Sequence, residues 1–140
     1  HKGDVEPCIF IHFATHNLRE SSLVEALKSP FFSALRRMQP LCYNTLRPCP
    51  IIDHPRVMRT VLKRYGAYPT HEGAWDTFTK LADDLDRYSQ GMAEIYAPIW
   101  EGEYSSWAGK WLEIMDFPKE KIEVRREGYS LSRMRKKGGN

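Results

Sequence analysis

The sequence predicts a mainly helical α+β fold: one short N-terminal strand, half of a β-hairpin, followed by four to five helices, with a further short strand near 121–126. Three observations predict it. An apolar run rich in β-branched and aromatic residues, Cys8-Ile9-Phe10-Ile11-His12-Phe13, stands just behind a glycine turn. Serine caps open helices at Ser22 and Ser29. Two long aromatic and aliphatic stripes then recur with helical period, from Trp75 to Ile95 and from Trp100 to Met115.

Taken in order, His1-Lys2-Gly3-Asp4 reads as a turn with no initiating Met, feeding a strand over residues 5–13. A turn that feeds a strand is normally the second half of a hairpin, so the first half is expected upstream of His1. Without it, the strand is expected to present an open edge and an apolar face, which invites a homodimer through that strand. Ser22 with Glu25 forms a capping box for a helix through about Lys28. Ser29-Pro30 caps the next, whose stripe of Phe31, Phe32, Leu35 and Met38 is stopped by Pro40. Residues 40–52 form a proline-rich loop carrying Cys42 and Cys49. Asp53 is expected to cap a helix with Val57, Val61 and Leu62 inward, ended by Gly66.

The longest helix is expected from Thr70 to about Ala97, ended or kinked by Pro98. It would pack antiparallel against the second stripe, with all four tryptophans serving as core or contact residues. Ile122 and Val124 alternate with charged neighbours, hence the short strand near 121–126, and the last dozen residues are expected to be disordered.

The chain's 140 residues can bury a core without disulfide staples. Three cysteines cannot all pair, no apolar leader opens the chain, and no Asn-x-Ser/Thr acceptor occurs, so a reducing cytoplasm is the expected compartment. No run approaches the roughly 18 apolar residues of a membrane span, so no membrane partner is expected. The net charge of +3 is uneven: residues 1–118 carry 13 Lys/Arg against 15 Asp/Glu, and residues 119–140 carry 8 against 3. The basicity belongs to a flexible tail, and nucleic acid is not an expected partner.

Chemistry, if present, rests on sulfur. Cys8 follows a glycine turn in Gly3-Asp4-Val5-Glu6-Pro7-Cys8, and Cys49 is locked between prolines in Arg47-Pro48-Cys49-Pro50. A thiol on backbone already fixed loses little further freedom on binding metal. Cys8, His12 and His16 would share a zinc-binding face on a helix, but extended backbone separates them. Cys42 and Cys49 are spaced too widely for a zinc knuckle, whereas an iron–sulfur cube accepts wide spacing. Three thiols could hold such a cube and two could not, so Cys8, Cys49 and Cys42 are the candidate ligands and outside help is implied. His54 and His71 lie beside helix starts, where local hydrogen bonding is their expected role. Asp83 and Asp84 read as a solvated face. No Gly-x-Ser-x-Gly, phosphate-cradling glycine loop or His-Glu-x-x-His occurs, so the segment has no motif for catalysis of its own.

Three stretches, Gly3-Asp4-Val5-Glu6-Pro7-Cys8-Ile9-Phe10, Ser22-Leu23-Val24-Glu25-Ala26-Leu27-Lys28-Ser29-Pro30-Phe31-Phe32 and Leu46-Arg47-Pro48-Cys49-Pro50, together resemble the C-terminal extension of radical S-adenosylmethionine proteins of the SPASM and twitch type. The resemblance implies that Gly3 is a hairpin glycine, Cys8 the second hairpin ligand and Cys49 a downstream ligand of an auxiliary 4Fe-4S cluster. It covers about the first fifty residues, giving a truncated twitch-like segment at 1–52, a helical extension at 53–118 and the basic tail at 119–140. The family's first hairpin cysteine and its Cys-x3-Cys-x2-Cys motif are absent. By the resemblance, S-adenosylmethionine would therefore be bound only by a missing upstream barrel of the same chain, and the cluster would be absent from these residues alone. The other reading is a helical protein-interaction module with structural buried cysteines and no metal.

Overall fold

A computed structural model describes residues 2–107 and residue 110. The order of elements is β1 (Phe13–Ala14), α1 (Leu23–Lys28), α2 (Pro30–Arg37), α3 (Pro55–Arg64), β2 (Tyr68–Pro69), a 3-10 helix (Ala74–Phe78), α4 (Ala82–Ile99) and a π-helical turn (Trp100–Tyr104). The fold is thus mainly helical α+β, as expected, with a small two-stranded antiparallel sheet whose second strand, Tyr68–Pro69, was not. No described helix is long and apolar enough to cross a membrane. The strand expected near 121–126, Trp111 and the tail at 119–140 lie outside the described residues.

The first helices form where their local signals stand. Ser22 accepts from the Glu25 amide while Glu25 reaches back to the Ser22 amide, a complete capping box. Ser29 accepts from the Phe32 amide ahead of Pro30, whose missing N–H costs nothing in a first turn. Helix α3 ends at Gly66, whose φ of +61° suits glycine. Its cap differs from expectation: His54 occupies the N-cap and its side chain makes no capping bond, and Asp53 turns away to accept from the Cys49 amide.

The core lies between α2, α3 and the β1 segment. Phe31 and Met38 meet Met58, Val61 and Leu62, closed by Ile11, Phe13, Leu41, Ile51 and Phe78. Phe13 also takes Trp75 edge-on, with ring centres 4.6 Å apart. Truncating a fully buried residue such as Met58 or Leu62 to alanine is expected to cost about 2–5 kcal/mol.

The strand expected at 5–13 is not formed as such. Residues 7–10 turn, with the Ile11 amide donating to the Cys8 carbonyl, and Ile9 and Phe10 are 77% and 68% exposed. Pro7 brings no N–H to a ladder, and only Ile11 and Phe13 reach the core, so pairing begins at Phe13. The segment's partners come from its own chain. Val5 donates to the His16 carbonyl, Leu18 to Gly3, Asp4 bridges Asn17, and Phe13–Ala14 pairs with Tyr68–Pro69. These residues therefore find pairing partners within the chain itself.

The expected helix from Thr70 to Ala97 is broken in two. The Thr70 amide is committed to the His12 carbonyl, and Gly73 sits at φ +76°, so the Trp75–Phe78 part of the stripe winds as a 3-10 turn before α4 starts at Ala82. Pro98 does not end α4. It removes the donor that would serve the Glu94 carbonyl, and the helix continues into the wider turn in which Ser105 donates to Trp100. The Trp100–Tyr104 part of the second stripe therefore extends α4 rather than returning against it. Trp100 is buried and Trp75 half-buried, while Trp107 is 58% exposed, so the three described tryptophans divide between core and surface.

Candidate functional site

Cys49 sits in a loop tied by hydrogen bonds within itself and to α4. Its amide donates to Asp53 Oδ2 at 2.8 Å, closing the loop across Pro50, Ile51 and Ile52. Arg47, two residues earlier, points its Nη2 at the Asp53 carbonyl (2.8 Å) and at the carbonyl and hydroxyl of Ser89 on α4 (3.1 and 3.2 Å). The Ser89 hydroxyl in turn donates to the Asp53 carbonyl at 2.6 Å, and the ring nitrogen Nε2 of His54 bonds the Arg47 carbonyl at 2.9 Å. Farther along α4, Asn44 donates to the Tyr96 carbonyl and Tyr43 stacks edge-on against Trp100. The loop bearing Cys42 and Cys49 is thus fastened along α4. A cleft of about 470 Å³ opens beside it, lined by Arg47, Asp53, His54, Arg56, Asp86 and Ser89 among others.

Charge in this cleft is balanced. Arg59 and Arg56 both bond Asp86, and although burial pushes that carboxyl upward, their hydrogen bonds prevail and hold it below its ordinary value. Burial likewise holds the His54 ring below its ordinary value, against the opposing effect of its bond to Arg47, so the ring is neutral near pH 7. Its role is the local hydrogen bonding expected of it.

The three thiols differ. Cys42 is half-buried, donates to the Asn44 carbonyl at 3.0 Å, and is pushed up above the ordinary thiol value chiefly by burial. Such a thiol resists becoming the thiolate that metal needs. Cys49 packs against the core with its backbone tied, and Cys8 is exposed on the turn at residues 7–10. Among the described residues neither of these two sulfurs is engaged in a hydrogen bond or a disulfide. As donors, thiols suit an iron–sulfur cluster, but no three His, Cys, Asp or Glu side chains are grouped to hold a metal ion among the described residues. Cys8, Cys49 and Cys42 are therefore not brought together as one metal-holding group.

A second polar cluster lies at the β1–β2 ladder. Tyr68 donates to Asp4, and burial, with that bond and the nearby carboxylate, pushes the phenol up to about 12. Glu6 accepts from the Thr70 hydroxyl and faces His12, which stands 5.4 Å from His71 between ring centres. The His71 ring bonds the Glu72 carbonyl locally, in keeping with its expected role. Sequence reasoning passed over Arg47, Asn44 and Ser89, and over the His12–His71 approach. The only signal for the first was an arginine inside the Arg-Pro-Cys-Pro frame, and nothing local marks the others.

Comparison with protein-family models, with curated proteins and with solved structures gives no match for this chain in any of the three.

Proposed function

We propose that this chain is the auxiliary-cluster and substrate-facing end of a radical S-adenosylmethionine enzyme, in which Cys8 and Cys49 are two ligands of a 4Fe-4S cluster and the remaining ligands come from elsewhere in the parent. The single observation that carries the reading is that these two thiols stand on backbone already fixed, yet are uncommitted. Cys49 is held through Asp53 and Arg47. Cys8 stands on the turn at residues 7–10, which the Ile11 amide closes by donating to the Cys8 carbonyl at 3.0 Å. Cys42 leaves the ligand set, because its sulfur is bonded inside its own loop. When bound, the cluster would supply electron transfer or an iron site for substrate, tuned by burial and by hydrogen bonds to sulfur. S-adenosylmethionine would belong to the upstream barrel, and this chain's residues would hold and orient.

The test is anaerobic reconstitution of the complete parent polypeptide. Cys8→Ala and Cys49→Ala are each expected to lower iron and sulfide by about four atoms per chain, and Cys42→Ala by none. Wild-type iron content in both the Cys8 and Cys49 variants would overturn the assignment. The second reading, a metal-free interaction module, is favoured by α4, which buries none of its own residues and exposes Tyr88, Ile95 and Ile99. Iron content that never depends on these cysteines, with a partner bound through α4, is its signature.

A further inference from the structure

We propose that His12 and His71 form a two-imidazole binding site for a divalent transition-metal ion of the zinc type, separate from the thiols. The backbone brings them together. Phe13 pairs with Pro69, and the Thr70 amide bonds the His12 carbonyl one step beyond, so His12 stands opposite Thr70; the chain bends at Thr70 and His71, and the two rings lie side by side. Both are exposed and both line a shallow polar cavity of about 280 Å³ together with Glu6, Thr70, Asp4 and Lys2.

Two independent features point to a metal. At a metal–nitrogen distance of about 2.0–2.1 Å and a tetrahedral angle, two imidazole ring centres come to lie about 5 Å apart. The observed separation is 5.4 Å, with the rings tilted 38°. The second feature is the orientation of each ring. Metal-binding histidines offer their other nitrogen to a carboxylate or a backbone carbonyl, which fixes tautomer and direction. His12 Nδ1 faces Glu6 Oε1 at 3.7 Å, and His71 Nδ1 bonds the Glu72 carbonyl. In both rings it is therefore Nε2 that remains for an ion. Glu6 is itself steadied by the Thr70 hydroxyl. With no third His, Cys, Asp or Glu side chain placed to complete a metal-holding group among the described residues, the other coordination positions fall to water or to an oxygen or nitrogen donor of a substrate.

This site requires neither iron nor an upstream domain, so it stands or falls apart from the cluster reading. The experiment is titration of the untagged chain with Zn²⁺ under reducing conditions, followed by calorimetry and by NMR of the histidine rings. One equivalent is expected to shift the His12 and His71 rings and leave His54 unmoved. His12→Gln and His71→Gln should each weaken binding by about a hundredfold, and Glu6→Gln by about tenfold. Cys8→Ser and His16→Gln should leave it unchanged. Thermal melts without zinc check that the His12 and His71 variants fold. Absence of ring shifts at millimolar Zn²⁺, undiminished affinity in folded His12→Gln and His71→Gln proteins, or affinity lost in Cys8→Ser would each overturn the proposal.

Discussion

Replacing Arg47 by methionine removes the guanidinium from the Cys49 loop while keeping a side chain of similar length. Nη2 faces three acceptors, the Asp53 carbonyl and the carbonyl and hydroxyl of Ser89, but carries two hydrogens, so about two full bonds are lost. Bonds to a charged donor contribute about 1.5–3 kcal/mol each, giving a gross loss of about 3–6 kcal/mol. Against this, Nε is buried without a partner among the described residues, and deleting it recovers about 1–3 kcal/mol. The net expectation is a destabilisation of about 2–3 kcal/mol, which lowers the urea midpoint by about 1 M. Tryptophan fluorescence follows unfolding through the buried Trp100. A second readout reports on the loop itself: alkylation of Cys49, measured against exposed Cys8 in the same molecule, should accelerate about thirtyfold if about 2 kcal/mol of loop fastening is lost, since each 1.4 kcal/mol is tenfold. An unchanged midpoint, or a Cys49 rate that does not rise relative to Cys8, would refute the assignment of Arg47 as the residue that fastens this loop.

Two further outcomes follow from the same contacts. Burial holds the folded His54 ring below its ordinary value, so the unfolded chain takes up a proton near pH about 6.5 that the folded protein refuses. The stability of the neutral ring is fully present above that pH and falls as acidification continues toward the lower folded value. His54→Gln should flatten the loss of stability between about pH 7 and 5.5, and an equally steep loss in the variant would count against it. Ser29→Ala removes the acceptor for the Phe32 amide at the start of α2, and should cost about 1 kcal/mol, read as a melting-point drop of about 3–6 °C.

Features set by neighbours in sequence were legible. The Ser22–Glu25 box, the Ser29-Pro30 start and the Gly66 stop form within a few residues of themselves, and each stands where the sequence placed it. Features set across the fold were not. Thr70 reads as a helix start until its amide is claimed by His12, and Asp53 reads as a helix cap until Cys49 claims its carboxylate. The apolar run at residues 8–13 has strand composition throughout, but only Phe13 and Ala14 find a partner strand, in residues far along the chain. The helical period from Trp75 to Ile95 is real within each piece and carries no mark of the break between them beyond Gly73. Of the candidate site, the rigid framing of Cys49 was visible in its prolines, whereas its attachment to Ser89 depends on a helix that passes the loop only in three dimensions.

The way α4 is attached has a consequence for its motion. The helix buries none of its own residues and meets the Cys42–Cys49 loop largely through main-chain oxygens of Ser89 and Tyr96, two turns apart on one face. Lifting it away breaks these links, the Asp86 ion pairs to Arg56 and Arg59 on α3 and the seat of Trp100, but leaves the buried residues shared by α2 and α3 in place. Its amide protons should therefore exchange into heavy water long before those of Met58 or Leu62, and at a rate that tracks the looseness of the cysteine loop.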